Sequence, residues 1–249
     1  MKLHKNQLFI AVGTVALLVG CSTNTSMQDK SSQTTSDTVQ RASVQDAVQS
    51  ERLGTQWGDD VNSRVTTVDL RRTSSNPIEQ MQVYYADKNY TGRALNSMSL
   101  VAGKVDFSMI TDSGKLSLYR DSGHYYVRGQ AGQAYRLVYQ NNSANTYEVV
   151  ASVDGLNVID GSAASRQGAG YVLNPNQKLV IEGFRKDQNS VASFIFSKPE
   201  NAYAANTSAG SINNTGVIGS AIYELYDPSR PKAQQQAFPA DNGYAKPPK

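Results

Sequence analysis

Acid–base chemistry in this chain would have to centre on histidine, because imidazole is the side chain that titrates near neutral pH. The sequence of 249 residues contains two histidines, His4 and His124. His124 follows Asp121-Ser122-Gly123, so an aspartate, a serine and a histidine stand within four residues. The members of a Ser-His-Asp triad must converge with separate roles, whereas neighbours at a hairpin usually point apart. We therefore predict that His124 lies at a surface turn and serves no nucleophile.

Two Asp-Ser-Gly triplets, at 112–114 and 121–123, form a second pattern with catalytic potential. Aspartic proteases use a pair of such motifs, whose two carboxylates share one proton. The triplets here are nine residues apart, which is too close for one per lobe, and Lys115 and His124 replace the small residue that normally follows. Asp-Ser-Gly is also favourable turn chemistry, so we predict two turns.

Carboxylates offer one further catalytic option, because glycoside hydrolysis needs two of them on either side of the bond that breaks. Such pairs are distant in sequence, so a metal-free hydrolase that uses carboxylates stays open as an alternative. No regular Ca²⁺-binding loop surrounds the acidic residues, and a single Cys excludes a zinc site built from several thiolates. We predict no catalytic residue, no metal site and no cofactor. The available carboxylates are those of Asp59, Asp60, Glu148, Asp154 and Asp160.

Phosphate and nucleic-acid binding have little support in the sequence. The glycine-rich segment 161–170 (GSAASRQGAG) lacks the Lys-Ser/Thr and the following helix that a phosphate cradle needs, so we predict a sandwich loop. The net charge is +3, and the basic residues of the body include only isolated doublets such as Arg71-Arg72 and Arg185-Lys186. Binding to nucleic acid depends on clustered cations, so no nucleic-acid partner is expected.

Aromatic residues are the most promising binding chemistry, because the chain contains fourteen tyrosines and one tryptophan. Such side chains offer rigid contact area with a polar tip, which suits a glycan or a peptide. Adjacent residues of a strand point to opposite faces. One member of the doublets Tyr84-Tyr85 and Tyr125-Tyr126 is therefore expected to pack inward. The candidate surface residues are Trp57, Tyr85, Tyr126, Tyr139 and Tyr171.

Residues 1–21 read MKLHKNQLFIAVGTVALLVGC, with a basic head, an apolar run and Leu18-Val19-Gly20-Cys21 at the end. The apolar run is shorter than the ~20 residues that span a bilayer. The segment resembles the signal peptide and lipobox of bacterial lipoproteins. This resemblance implies removal of residues 1–20 and acyl chains such as palmitate on Cys21, and with Ser22 next it implies the outer membrane rather than the inner one. A single acyl chain anchors a protein only marginally, so several chains are needed.

The composition divides the remaining chain into three parts. Residues 22–40 are rich in Ser and Thr and poor in large apolar residues, which predicts a flexible tether, followed by a short helix or more linker up to residue 52. Residues 53–226 are expected to form the folded body, either as one unit or as two small β subdomains divided near 130–145. The tail 227–249 contains five of the eight prolines and is predicted to be extended.

Short segments rich in Val, Ile, Tyr and Thr alternate with Gly, Asn and Asp in the body, which is the pattern of an all-β protein. Because no helical pattern alternates with these segments, an antiparallel β-sandwich is the predicted fold. Hairpin turns are predicted at Asp121-Ser122-Gly123 and Asp154-Gly155, and a turn at Asn174-Pro175-Asn176. Strands are predicted at 65–71, 80–86, 116–120, 125–128, 134–140, 146–153, 156–159, 178–184, 191–196 and 217–226.

Part of the body resembles a β-rich domain found in exported proteobacterial proteins, through YEVVASVDGLNVIDG (147–161), GYVLNPNQKLVIEGFR (170–185), VASFIFS (191–197) and NTGVIGSAIYEL (214–225). That resemblance implies a discrete β-rich module and no particular activity. Together, these patterns favour a lipid-anchored cell-envelope protein on the periplasmic side of the outer membrane. Its expected role is binding or assembly with envelope proteins or glycans, and a carbohydrate-binding module is one form of that role.

Overall fold

The computed structural model of the protein describes residues 51–228, which form sixteen β-strands and three short 3-10 helices. The predicted signal segment, Cys21 and nearly all of the predicted tether and tail therefore lie outside the described residues. Within the described part of the chain, no helix is long and apolar enough to cross a bilayer.

The strands form two sheets of eight strands each. In sheet I the main order is β1-β15-β9-β5-β4, and β13, β14 and β6 pair with β9, β15 and β5. The bounds in sheet I are β1 (Gly54–Asn62), β4 (Met98–Leu100), β5 (Val105–Thr111), β6 (Gly114–Leu116), β9 (Ala134–Asn141), β13 (Lys178–Ile181), β14 (Gly183–Arg185) and β15 (Ser190–Ser197).

In sheet II the main order is β11-β10-β16-β2-β8-β7-β3, and β12 pairs with β10. Its pairs are antiparallel except for β2 and β8, which run parallel. The bounds in sheet II are β2 (Glu79–Ala86), β3 (Arg93–Leu95), β7 (Leu118–Asp121), β8 (His124–Arg128), β10 (Tyr147–Val153), β11 (Leu156–Asn157), β12 (Tyr171–Leu173) and β16 (Val217–Glu224). The short helices are Pro199–Asn201, Tyr203–Ala205 and Ile212–Asn214.

The predicted all-β sandwich is confirmed, because the two sheets enclose one buried apolar cluster to which both contribute. Strand β2 shows the pattern behind it: Met81, Val83 and Tyr85 are buried, and the intervening Gln82 and Tyr84 are exposed. Alternation of this kind is expected where one face of a sheet packs on a core and the other meets water. The outward face of sheet II is consequently available for other contacts.

Most predicted strands are present, but the segment 65–71 is not a strand. Its backbone is tied to the body by the N–H of Val65, which donates to the carbonyl of Gln188 (2.8 Å), while Val68 and Leu70 stay exposed. The β-branched composition suggested a strand that tertiary pairing does not supply. Strands β1, β3, β4, β5 and β12 were missed.

The sequence does not predict β1, because Gly58, Asp59 and Asp60 interrupt the alternation of apolar and polar residues that is expected of a strand. The structure places a β-bulge between Trp57 and Asp60, and pairing with β15 continues on both sides. A bulge adds an unpaired residue and bends the strand. Gly58 is required there, since a Cβ at this position would lie 2.3 Å from Ser193 Oγ.

Two predicted strands are divided by the structure. The segment 116–120 breaks at Ser117, so that β6 ends in sheet I and β7 begins in sheet II. The segment 178–184 breaks at Glu182, where β13 pairs with β9 and β14 pairs with β15. In both places the change of pairing partner, which composition does not encode, ends the strand.

The predicted hairpin turns are confirmed. Ser122 and Gly123 have φ values of 49° and 84° and join β7 to β8, and Asp154 and Gly155 have φ values of 53° and 77° and join β10 to β11. Two consecutive positive φ angles match the right-handed twist of the flanking strands, which favours Asp-Gly and Ser-Gly pairs here. The predicted turn at Asn174-Pro175-Asn176 also enters β13, with Asn176 at φ 55°.

Candidate functional site

Five aromatic side chains form a continuous cluster on the outward face of sheet II, which we call the aromatic shelf. Its members are Tyr84 on β2, His124 and Tyr126 on β8, Tyr119 on β7 and Tyr90 in the β2–β3 loop. Tyr84 lies 6.0 Å from His124 and 5.9 Å from Tyr126 between ring centroids. Tyr90 stacks on Tyr126 at 5.0 Å and lies 6.0 Å from Tyr119. The shelf therefore crosses several strands as one band of rings.

Strand register explains why these rings meet. In the ladder Tyr126 stands opposite Tyr84 on β2 and opposite Tyr119 on β7. Side chains that stand opposite each other on neighbouring strands share one face and interact directly. Because the parallel β2–β8 pair brings together strands that are separated along the chain, the three tyrosines form a row that sequence spacing alone does not reveal.

The shelf is partly exposed and has a basic rim. Tyr84 is 36% exposed, His124 is exposed, and Tyr90, Tyr119 and Tyr126 are half-buried. Burial, together with neighbouring Tyr126, raises the pKa of Tyr90 to about 12. The Nζ atom of Lys88 lies 5.3 Å from the centroid of the Tyr90 ring. The shelf thus combines rigid aromatic area with partial exposure, as an aromatic binding surface requires.

A groove of about 610 Å³, which we call the outer groove, adjoins the shelf at His124. Its lining includes outward-facing residues of sheet II and the loop 164–166, and its polar side chains include Gln80, Gln82, Ser152, Asn157, Ser165 and Arg166. Gly219 on β16 lies in the same lining, and a Cβ at this position would be 2.7 Å from Ser152 Oγ. The absence of a side chain at Gly219 therefore keeps the floor of the groove low.

Arg72 fixes the loop that forms one wall of the outer groove. Its guanidinium makes a two-pronged ion pair with Glu148 at 2.7 and 3.0 Å and donates to the carbonyl of Gly168 at 2.8 Å. The same group lies 3.8 Å from the centroid of the Tyr223 ring, and the Tyr223 hydroxyl donates to the carbonyl of Arg166 at 2.7 Å. The hydrogen bond to Glu148 is the main cause that raises the pKa of Arg72. Bidentate pairs of this kind are specific in geometry, so the wall is held rigidly.

The outer groove carries a free cation. Within residues 51–228, the ion pairs involve Arg72, Arg128, Arg136 and Lys186, and Arg166 is exposed and not among them. The acidic residue of the lining, Glu79, forms no ion pair with Arg166. Its Oε2 atom instead accepts from the backbone N–H of Val101 at 3.3 Å. The guanidinium of Arg166 is consequently available to a ligand.

A second tyrosine cluster lies between the two sheets, and we call it the interior tie. Asp154 is 0% exposed, and its Oδ1 atom accepts from the Tyr85 hydroxyl (2.6 Å) and from the N–H of Gly216 (2.9 Å). Its Oδ2 atom accepts from the N–H of Thr55 at 2.7 Å. The Thr55 hydroxyl lies 2.7 Å from the Tyr85 hydroxyl and 2.6 Å from that of Tyr135. Strands β1 and β9 of sheet I are thereby joined to β2 and the β10–β11 turn of sheet II.

The direction of these hydrogen bonds follows from proton counting. A hydroxyl donates one proton, and the proton of Tyr85 goes to Asp154. Thr55 must then donate to Tyr85, and Tyr135 must donate to Thr55. The three hydroxyls form one chain that points towards the carboxylate, an arrangement in which each bond polarises the next.

Burial raises the pKa of Asp154 from 3.8 to about 6, although the hydrogen bonds from Tyr85, Thr55, Gly216 and Val217 act in the opposite direction. The pKa values of Tyr85 and Tyr135 are raised well above 10, again mainly by burial. A raised carboxyl pKa is common at catalytic sites, but this group has no solvent-accessible surface. The interior tie therefore joins the sheets and offers no place for a substrate.

The five candidate surface residues do not form one site. Tyr126 lies in the aromatic shelf, whereas Tyr85 belongs to the interior tie and Tyr139 is fully buried, with its hydroxyl bonded to Ser220. Trp57 is 41% exposed and packs on Phe184 and Tyr203. It lies on β1 of sheet I, whereas the shelf strands belong to sheet II. Tyr171 on β12 is half-buried, and its hydroxyl accepts from Arg185 Nε at 2.8 Å.

Four of the five carboxylates that could serve a hydrolase, those of Asp60, Glu148, Asp154 and Asp160, have other partners. Lys186 binds Asp60 at 2.6 Å, Arg72 binds Glu148, and hydrogen bonds from Ser162 lower the pKa of Asp160. Within the described range, no three His, Cys, Asp or Glu side chains are grouped as metal ligands.

Both Asp-Ser-Gly triplets lie at hairpins. Asp112 binds Arg136 at 2.5 Å, and the Ser122 hydroxyl donates to Asp121 at 3.0 Å. His124 instead contacts the rings of Tyr84 and Tyr126. The triplet at 121–123 and the histidine that follows it therefore supply a turn and an aromatic contact, not a proton relay.

Several residues of the site were missed by sequence reasoning: Tyr90, Tyr119, Gln82, Arg166 and Gly219. Tyr84 was recognised as part of a doublet, but the choice of its outward-facing member required the phase of β2. That phase was readable in principle from Met81 and Val83, which are the apolar positions of the strand. The loop residue Tyr90 carries no periodic signal at all.

Comparison with protein-family models, with curated proteins and with solved structures yields no match to this chain. The geometry of the shelf, the groove and the tie is therefore the basis on which a function can be assigned.

Proposed function

We propose that this protein is a lipid-anchored binding module of the bacterial cell envelope, and that the aromatic shelf and the outer groove form its binding face. The observation that carries the proposal is the continuity of the two features at His124, which lines both the groove and the pocket against the shelf. Rigid aromatic area next to convergent polar groups is the usual composition of a binding site.

The anchor in this proposal is Cys21, with residues 1–20 removed and the body on the periplasmic side of the outer membrane. Support comes from the lipobox Leu18-Val19-Gly20-Cys21 and from the place where the chain enters the body. Arg52 and Leu53 line the pocket against the shelf, so the segment from Cys21 joins the body beside the binding face. The 29 residues between Cys21 and Glu51 can span at most roughly 100 Å, which limits how far this face can lie from the leaflet.

The anchor is tested by membrane fractionation of cells that produce the wild type or Cys21→Ser. We expect the wild type in the outer-membrane fraction and the variant in the soluble periplasmic fraction. A Ser22→Ala variant is the control, because it changes the neighbouring hydroxyl and leaves the thiol. Unchanged membrane association of Cys21→Ser would contradict the proposed anchor.

The binding face is tested by placing the photo-crosslinking residue p-benzoylphenylalanine at Tyr84 in intact cells. We expect adducts with an envelope component at this position. The matched control is the same residue at Tyr226, which is 46% exposed and packs on Arg71 outside the shelf. Equal adducts at both positions, or none at Tyr84, would contradict the assignment of the face.

A further inference from the structure

We propose that the aromatic shelf and the outer groove bind a glycan chain that carries carboxylate groups, namely the peptide-bearing glycan of the cell wall. This inference rests on the proposed function and names the ligand class of the same face. It is argued from three observations: the spacing of the rings, the chemistry of the groove and the free cation at its wall.

The rings of the shelf fit a chain of sugars. The C–H face of a sugar ring carries partial positive charge, and it packs on the negative face of an aromatic ring. Successive shelf centroids are 5.0–6.0 Å apart from His124 through Tyr84, Tyr126 and Tyr90 to Tyr119. A step of this size is comparable to the length of one sugar unit, so a chain that lies on the exposed ring of Tyr84 can reach His124 with its next unit. Tyr126, which stacks on Tyr90, supports the Tyr84 ring from the side.

The groove supplies what the hydroxyl groups of such a chain need. The amides of Gln80 and Gln82 and the hydroxyls of Ser152 and Ser165 are donors and acceptors at once. A sugar hydroxyl also does both, so amide and hydroxyl side chains match it better than charged groups alone. The low floor at Gly219 gives a flat ring access to these groups.

Arg166 accounts for the carboxylate. Its guanidinium has a fixed fork of donors that matches a carboxylate, and no carboxylate of the described residues pairs with it. Lys88 and Arg52, at the pocket against the shelf, add positive charge. The proposed anchor keeps this face within reach of the cell wall, whose peptide-bearing glycan supplies carboxylates on its peptides.

A protein partner fits this face less well. Stable protein interfaces bury about 800 Å² on each side around an apolar core. Tyr84 is the shelf tyrosine that ranks among the exposed large hydrophobic residues, and the neighbouring groove is lined by amides and hydroxyls. The face therefore offers stacking and hydrogen bonds in place of a large apolar patch.

The test measures sedimentation of the full mature chain, purified in detergent, with peptidoglycan sacculi stripped of protein. Wild-type protein is expected to sediment, and Tyr84→Ala and Tyr126→Ala are each expected to weaken the apparent affinity at least tenfold. Tyr226→Ala is the control, because it removes an exposed tyrosine outside this face, and its binding should stay within twofold of the wild type. A wild type that does not sediment, or shelf variants that sediment equally well while folded, would overturn the inference.

The carboxylate is tested with Arg166→Gln and the control Arg64→Gln, an exposed arginine outside the groove. We expect Arg166→Gln to weaken binding to sacculi three- to tenfold and to reduce its dependence on salt, while Arg64→Gln changes neither. Chitin, a neutral glycan, should bind more weakly than sacculi. Equal binding of chitin, or an unchanged Arg166→Gln, would overturn the assignment of a carboxylated chain.

The crosslinking experiment at Tyr84 separates the two proposals. Crosslinks to a protein, together with no sedimentation on sacculi, would overturn the glycan inference and leave a binding face in place. Neither crosslinks nor sedimentation would overturn both.

Discussion

Tyr84 and Tyr85 are neighbours on β2, yet they serve opposite sides of sheet II. The Tyr84 ring joins the aromatic shelf, and its hydroxyl donates to exposed Gln82 at 3.3 Å. Tyr85 is 3% exposed, and its hydroxyl donates to the buried carboxylate of Asp154 at 2.6 Å. The same type of side chain thus contributes its ring surface at Tyr84, on the outward face, and its hydroxyl at Tyr85, on the inward face.

This contrast shows that the environment of the hydroxyl distinguishes a binding tyrosine from a structural one. In the interior tie, the hydroxyls of Tyr85 and Tyr135 have fixed buried partners, and loss of the Tyr85 hydroxyl leaves the Thr55 hydroxyl without its acceptor. In the shelf, water can replace any hydrogen-bond partner that a tyrosine hydroxyl loses. The ring surface is therefore the part of the side chain that serves binding. Substitutions in the two regions should therefore separate stability from binding.

The largest expected effect breaks the interior tie at its centre. Asp154→Ala leaves the N–H groups of Thr55 and Gly216 and the hydroxyl of Tyr85 without their acceptor. Each unsatisfied buried group is costly, so the free energy of unfolding should fall by on the order of 3–5 kcal/mol. Urea unfolding followed by circular dichroism measures this fall. Asp160→Ala, at an exposed turn, is the control, and an equal effect of both variants would contradict the role of the tie.

The pH dependence of stability tests the same carboxylate. Because the pKa of Asp154 rises from 3.8 to about 6 on folding, its contribution is fully present below pH 4 and is lost as the pH rises through 6. A pKa difference of this size corresponds to roughly 3 kcal/mol. The stability of the wild type relative to Asp154→Asn should therefore decrease by this order between pH 4 and pH 8. A difference that stays constant with pH would show that Asp154 does not titrate in this range.

A matched pair of tyrosine variants sharpens the comparison. Tyr85→Phe removes the donor to Asp154 and leaves the Thr55 hydroxyl without its acceptor, so unfolding should become easier by about 1–3 kcal/mol. Tyr84→Phe removes an exposed hydroxyl and should change stability by less than ~0.5 kcal/mol. Chemical unfolding of the two variants side by side provides the measurement. Similar losses from both would remove the distinction between the regions.

The smallest expected effect concerns the floor of the outer groove. The Cβ added by Gly219→Ala would lie 2.7 Å from Ser152 Oγ, the end of a side chain that can rotate away. We expect a loss of stability below ~1 kcal/mol and weaker binding, because the floor is raised. The double variant Gly219→Ala with Ser152→Ala should recover stability but not binding. Recovery of both would mean that the floor does not contact a ligand.

The sequence was sufficient for the fold class and for much of the strand order along the chain, because alternation and turn chemistry are local. The Asp154-Gly155 hairpin illustrates this, since two positive φ angles favour those residues. The chemical partners of Asp154 were not predictable, because Thr55, Tyr85, Tyr135 and Gly216 are distant in sequence. The shelf depended in the same way on the parallel β2–β8 pair, which no local pattern encodes.

The break at Ser117 and the bulge in β1 have a related cause. In each, the chain changes or adjusts its partner strand, and the residues follow the tertiary contact rather than their own preference. A residue whose role depends on a partner strand, such as Tyr119, was for this reason found by structure and not by composition.

The most direct test of the account measures stability and sacculi binding on the same samples of Tyr84→Ala and Tyr85→Phe. We predict that Tyr84→Ala unfolds like the wild type and binds sacculi at least tenfold more weakly, while Tyr85→Phe is destabilised but binds within twofold of the wild type when folded. The account would be contradicted by a stable Tyr84→Ala that binds sacculi as well as the wild type.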